Sequence, residues 1–226
     1  MAEAARLAPA LTGPEWILAL TQTAARGRRG RPWAMPPGNF AATLLLLPPG
    51  GPAEAALRSF TAALALHDAF AEVTGRPDAF ALKWPNDVLL HGGKVAGILL
   101  ESLGPGRLAI GFGVNLAAAP DAAQVEPGAV RPVSLAGEMG LSVAPDAFLT
   151  PLAAAFAHWE ARFLAQGFAP VRSAWLNRAA RLGQPITART GTETLTGTFE
   201  TVDAQGRLVI AAAGGRRAVP AAEVFF

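Results

Sequence analysis

The sequence predicts an α+β body, a mixed β-sheet with helices packed on it, followed by a small β-barrel near the C-terminus. Three observations predict this. Through residue 180, apolar runs of strand length are interspersed with segments of helical spacing. Four successive apolar runs are parted by the turns His91-Gly92-Gly93 and Gly104-Pro105-Gly106, the pattern of a meander. From Gly183 onward the texture changes to short Thr- and Val-rich runs between glycine turns, so residues 1–180 and 181–226 are expected to be separate domains.

Taken in order, residues 2–10 read as a short helix, stopped by Gly13-Pro14. Residues 16–20 are a strand-type run leading into polar Gln22 and an arginine segment. After Pro36-Pro37-Gly38-Asn39, residues 40–47 read as a buried strand. Residues 48–52 are a loop, and 53–73 a helix with Leu57, Phe60, Leu64 and Phe70 on one side, ended by Gly75. Residues 80–84, 88–91, 94–103 and 108–116 are the meander strands, followed by a Pro- and Ala-rich loop over 117–133. Helices are expected at 134–139, 146–166 and 171–180, the last carrying Trp175. Strands at 186–189, 195–202, 208–212 and 218–220 suggest a barrel of about five strands, and there is no internal repeat.

Composition excludes several classes. With 51% hydrophobic and 16% charged residues the chain is a globular protein. It has no cysteine, hence neither disulfides nor thiolate metal sites. No apolar run approaches the roughly 18 residues of a membrane span, and the N-terminus lacks a secretory pattern, so the cytoplasm is the default. The pI of 9.9 accompanies a net charge of only +2, because with no Tyr and no Cys little titrates between neutrality and the lysines. That balance argues against strong binding to a phosphate backbone. Of the 19 basic residues only Lys83 and Lys94 are lysines, which suggests positions needing a compact ammonium.

Three segments concentrate the polar chemistry. In Gln22-Thr23-Ala24-Ala25-Arg26-Gly27-Arg28-Arg29-Gly30-Arg31-Pro32-Trp33, four arginines and two glycines fall within six residues. Glycine permits close backbone approach and guanidinium groups grip phosphate oxygens in pairs, although a solvated or RNA-contacting loop has the same composition. Lys83-Trp84-Pro85-Asn86-Asp87 places a lysine at a strand end before a rigid break, with Lys94-Val95-Ala96-Gly97-Ile98-Leu99-Leu100-Glu101 after a turn. In Gly111-Phe112-Gly113-Val114-Asn115, alternate glycines leave room on a strand for a flat or chain-like ligand. There is no P-loop, and His67, His91 and His158 have no catalytic setting.

In this order and spacing the three segments resemble the biotin–protein ligase family over nearly the whole chain. The resemblance implies a biotin/lipoate ligase-like catalytic domain and an SH3-like C-terminal barrel. It implies ATP-dependent activation of biotin to biotinyl-5′-AMP, with Mg²⁺, and transfer to a lysine of a biotin carboxyl carrier protein domain. Carried over by motif, Gln22, Arg26, Gly27, Arg28, Lys83, Gly111 and Gly113 would surround biotin. Arg28, Arg31, Trp33, Asn86, Lys94 and Asn115 would lie at the nucleotide, with Lys83 and Arg28 catalytic. The resemblance leaves the metal ligands open, and a homodimer comes into consideration because the family's exposed sheet often supports one.

The chain departs from the family pattern at three places. Ala25 replaces the glycine that opens the arginine loop. No helix-turn-helix domain precedes the catalytic segment, so no DNA-binding role is expected. The family's Asp-Ser-Thr-Asn segment would precede Ala2, with Met1 at the Asn position, so a further strand ahead of Met1 is expected in the natural protein. Without that strand a sheet edge stays unpaired and biotin affinity falls. The alternatives are a lipoate or octanoate ligase or transferase, a non-catalytic binding protein of the same fold, and a nucleic-acid binder using the arginine loop.

Overall fold

Helix α1 (Ala2–Leu7), continued by a 3₁₀ turn at Ala8–Ala10, opens the computed structural model, which describes residues 1–121, 125 and 128–226. Strand β1 (Glu15–Ala19) and strand β2 (Phe40–Leu46) form an antiparallel pair. Every residue of β2 is buried because both of its faces are covered. Phe40, Ala42, Leu44 and Leu46 enter the main core, while Leu45 packs beneath α1 with Ala4 and Leu11, as strand alternation dictates.

Helix α2 (Pro52–Ala56) and helix α3 (Arg58–Thr74) replace the single helix expected over 53–73. Gly75, with φ 65°, adopts the left-handed conformation that ends α3, and its N–H returns to the Ala71 carbonyl. The meander follows as expected: β3 (Phe80–Lys83), β4 (Asp87–Leu90), β5 (Gly93–Ser102) and β6 (Leu108–Val114). The six strands lie in the order β1-β2-β6-β5-β4-β3. All five of its ladders are antiparallel. Among the described residues, the mixed character expected of the sheet is confined to two isolated parallel bridges, Leu82 with Ala179 and Lys94 with Pro132. The loop expected over 117–133 lies partly outside the described residues.

Helices α4 (Leu135–Met139), α5 (Pro145–Gln166) and α6 (Phe168–Leu176) complete the first unit. Helices α3 and α5 cover one face of the sheet through aromatic contacts, among them Phe70 stacked on Phe80 and Phe40 edge-on to Phe148. Residues 185–225 form a second antiparallel sheet of five strands: β7 (Pro185–Arg189), β8 (Thr194–Val202), β9 (Leu208–Ala212), β10 (Gly215–Val219) and β11 (Glu223–Phe225). Their order is β10-β9-β8-β7-β11. The three-residue β11 is a strand the sequence pattern does not signal.

The two sheets share one hydrophobic core, in which Phe199, Val202 and Leu208 are continuous with Phe60 and Trp175. Trp84, only 3% exposed, sits in that core, and its indole N–H donates to the Gly206 carbonyl at 3.1 Å. Among the described residues no helix is long and apolar enough to cross a membrane.

Candidate active site

The face of the six-stranded sheet turned away from α3 and α5 carries the polar motifs. Successive cross-strand partners there run Ala19, Ala41, Gly113, Gly97, Asp87 and Lys83, one residue from each strand. Directly opposed residues share a face, so this row is a lane of two alanines and two glycines that ends on a carboxylate and an ammonium. Leu99 and Gly111, also opposite one another, lie on the same face. The two glycines of the lane make room for a ring belonging to the protein itself. A Cβ added at Gly113 would stand 2.8 Å from the Trp33 ring, and one at Gly97 would stand 3.2 Å from it. A Cβ at Gly111 would meet the Met1 methyl at 3.2 Å.

Trp33 is delivered by the arginine segment, which is closed on itself by backbone bonds. The Gly27 N–H donates to the Arg31 carbonyl at 2.8 Å and the Trp33 N–H to the Ala25 carbonyl at 3.0 Å. At the tip, Arg29 has φ 58° and Gly30 φ 72°, which brings the chain back over the sheet. Arg28 therefore points inward while Arg29 and Arg31 point out. Arg28 Nη1 donates to Asn86 Oδ1 at 3.3 Å, and Asn86 Nδ2 donates to the Ile98 carbonyl at 2.7 Å, so Asn86 orients the guanidinium from the strand.

The charged end of the lane is a partly buried cluster. Lys83, 7% exposed, places Nζ 3.8 Å from Asp87 Oδ2, and Lys94 places Nζ 2.7 Å from Asp87 Oδ1. Lys94 reaches this face through a bulge: β5 slips register between Val88 and Leu89 of its partner, and Lys94 then pairs with Leu89. The Lys94 ammonium also lies 5.4 Å from the Trp33 ring centre, and that of Lys83 lies 5.6 Å from the ring of Phe226. Burial pulls the Lys83 ammonium below the usual lysine range, against the attraction of Asp87. Burial alone would raise the Asp87 carboxyl, but Lys94 and Lys83 hold it below the usual carboxylate range. Arg28 is likewise pulled down by burial and supported by Asp87. Three cations facing one carboxylate leave an excess of two positive charges, a setting for two anions brought together.

The other residues singled out in the sequence lie outside the charged cluster. Arg26 makes a two-pronged contact with Glu101, at 3.1 and 3.0 Å. Arg31 pairs with Glu223. Asn115 is buried with its amide engaged internally, donating from Nδ2 to the Val133 carbonyl at 3.0 Å and accepting from Asn39. Gln22 is half-buried, with no side-chain hydrogen bond among the described residues. Four participants escape sequence reasoning: Asp87 as the hub of the cations, Glu101, Glu223 and Phe226. Glu101 had a signal, since it follows Gly97 and Leu99 at period two on β5. Glu223 and Phe226 had none, being remote in sequence from the loop and from Lys83. Among the described residues no group of three His, Cys, Asp or Glu side chains could hold a metal ion.

Comparison with known proteins finds relatives over the whole chain. The profile described as "Biotin/lipoate A/B protein ligase family" matches residues 5–115, and that described as "Biotin protein ligase C terminal domain" matches residues 182–226. A biotin–[acetyl-CoA-carboxylase] ligase of Paracoccus denitrificans is 59% identical over 229 aligned residues, covering 100% of this chain and 95% of the relative. The bifunctional ligase/repressor of Bacillus subtilis is 28% identical over 92% of this chain, which spans 65% of that relative's length. Among solved structures, the biotin protein ligase of Aquifex aeolicus in complex with biotin and ATP superposes with a TM-score of 0.81 at 25% identity, covering 92% of this chain and 87% of that one.

Proposed function

We infer the activity from one premise: this chain belongs to the biotin–protein ligase family, on 59% identity over its whole length and family matches to residues 5–115 and 182–226. It activates biotin with ATP to form biotinyl-5′-AMP and transfers the biotinyl group to protein. The acceptor is a lysine of a biotin carboxyl carrier protein domain, a reading supported by the acetyl-CoA-carboxylase ligase among its relatives. The observation that carries the assignment of residues is the cross-strand row, in which a lane of alanines and glycines leads to three cations.

In the first step a carboxylate oxygen of biotin attacks the α-phosphorus of ATP and pyrophosphate departs. Two anions must meet, and Arg28, Lys83 and Lys94 offset their repulsion from fixed positions. Asp87 spaces the two ammonium groups and Asn86 aims Arg28. The apolar body of biotin runs along the glycine lane at Gly111 and Gly113, and Trp33 moves from the lane to roof it. In the second step the carrier lysine's amine attacks the anhydride carbonyl and AMP leaves, so no protein nucleophile is needed. Mg²⁺ would accompany ATP as a counter-ion and screen the departing pyrophosphate, and no side chain of this protein is assigned to hold it. Residues 1–180 form the catalytic domain, and the five antiparallel strands of 181–226 form an SH3-like barrel.

The test mixes the purified protein with ATP, Mg²⁺ and either biotin or lipoate, and follows pyrophosphate release and the adenylate by mass spectrometry. Biotin-dependent release is expected. Lipoate-dependent release without biotin turnover would move the protein to the lipoate branch, and no release with either would leave only a binding protein.

A further inference from the structure

Three guanidinium groups converge on one carboxylate at the junction of the two sheets. Glu223 lies on β11, the short last strand, and its side chain is only 15% exposed. It pairs with Arg31, with Arg29 at 3.4 Å, and with Arg189 of β7 at 2.6 Å. Arg189 anchors the carboxylate within its own sheet, where β7 and β11 are direct neighbours with Glu223 opposite Arg189. Arg29 and Arg31 belong to the arginine loop, on either side of Gly30, and flank the turn that drives Arg28 inward.

We propose that Glu223 is a positioning residue for the ligase reaction: the C-terminal sheet grips the outward arginines and thereby holds Arg28 over the reacting centre. The loop has three successive attachments of opposite sense. Trp33 packs on the glycine lane, Arg28 turns in to Asn86, and Arg29 and Arg31 turn out to Glu223. Without the last, the left-handed Arg29 loses the ion pair that retains it, and the tip relies on its own turn, on Arg28 and Trp33, and on the further contact of Arg31. The carboxylate suits the task because it is fixed: Arg189 holds it from below and Arg189 itself stacks over Phe225 at 4.8 Å. The same C-terminal segment sets Phe226 beside the Lys83 ammonium, so the second sheet reaches the site at two points. Glu223 makes its ion pairs with Arg29, Arg31 and Arg189 and none with Arg28 or Lys83, whose charges it supports only from a distance, so it acts through the loop.

The proposal rests on the ligase reading for one readout and is independent of it for another. The experiment compares the full-length parent with Glu223→Gln. First, brief trypsin treatment of the ligand-free proteins measures cleavage after Arg26, Arg28 and Arg29, the bond after Arg31 being protected by Pro32. Nicking about tenfold faster in the variant, at an unchanged melting temperature, is expected. Second, biotinyl-adenylate is formed and its loss from the protein is timed, together with KM and kcat for pyrophosphate release. A roughly tenfold shorter lifetime and a lower kcat, with KM for ATP changed less than threefold, are expected, and Glu223→Asp should recover part of both. Equal nicking and equal adenylate lifetime in parent and Glu223→Gln overturn the proposal. If the parent itself makes no adenylate, the ligase reading fails while the nicking comparison still decides the grip. Should Glu223→Gln fold poorly, Arg29→Gln removes one arm of the grip from an exposed position, and two- to threefold faster nicking after Arg26 and Arg28, the sites it retains, is expected; no change at those two bonds overturns the proposal as well.

Discussion

Replacing Lys83 by methionine should separate catalysis from folding. The ammonium lies 3.8 Å from Asp87 and faces the end of the glycine lane. A unit charge about 4 Å from another is worth about 4 kcal/mol at an effective dielectric of about 20. A carboxylate and an α-phosphate approaching at that range would lose stabilisation of this order, so adenylation should slow by about 10²- to 10³-fold, in line with the roughly 3–4 kcal/mol of a single preorganised donor. Stability should respond differently. Breaking a buried ion pair costs about 3–5 kcal/mol where it strands a charge, but Asp87 keeps Lys94 at 2.7 Å. Burial already opposes the Lys83 charge, and methionine retains the stem that packs near Phe226. The melting temperature of Lys83→Met should therefore stay within about 3 °C of the parent. The assay is biotin-dependent pyrophosphate release with matched thermal unfolding curves. Turnover within threefold of the parent in a folded variant would refute the electrostatic argument, and loss of folding would refute the role given to Lys94.

Gly113→Ala should raise KM for biotin by about tenfold, because the added methyl fills lane space that the body of biotin would take, and should lower the melting temperature by roughly 2–12 °C, because its Cβ stands 2.8 Å from the Trp33 ring and overpacking costs about 1–3 kcal/mol; an unchanged KM in steady-state kinetics would show that biotin does not use the lane. Trp84→Phe should lower stability by about 2 kcal/mol, through the lost bond to the Gly206 carbonyl and the volume removed, or roughly 4–8 °C for a chain of this size. Its kcat per folded molecule should change less than threefold, since the Trp84 ring enters the core. The Asp87 carboxyl is held below its unfolded value by Lys94 and Lys83, so the stability it contributes is present above that unfolded value and is lost as pH falls through the folded one. Acid titrations of melting temperature should accordingly be shallower for Asp87→Asn than for the parent. The Lys83 shift acts on the alkaline side: its folded pKa is depressed, so adenylation should decline at a lower pH than an ordinary lysine would impose, read as pyrophosphate release against pH.

Much of the fold was legible in the linear pattern. The helical spacing of 53–73 and the turn glycines of the meander are local signals, and they place α3 and the strands β3 to β6 within a few residues. The motif residues Arg28, Lys83, Asn86 and Lys94 do meet at one cluster, as their chemistry suggested. Arg26, Arg31 and Asn115 were indistinguishable from them in sequence, yet their side chains are engaged by Glu101, Glu223 and Val133. Nothing local separates an arginine that turns in from one two or three residues away that turns out. The left-handed Arg29 and the packing of Trp33 decide it.

By itself, then, the sequence determined which residue types were available to grip two anions and which segments would be strands or helices, because those follow from spacing and turn chemistry. Only the tertiary structure decided which of them share a face. A strand's side chains alternate, so a one-residue change of register sends each to the other side. The register that lines up Gly113, Gly97, Asp87 and Lys83 is set by four strands pairing through a common core. Lys94, three residues from Gly97, would face away in an unbroken strand, and the bulge opposite Val88 and Leu89 turns it toward Asp87. Glu223 reaches the arginine loop from the far end of the chain because two sheets share that core, a closeness no local pattern encodes.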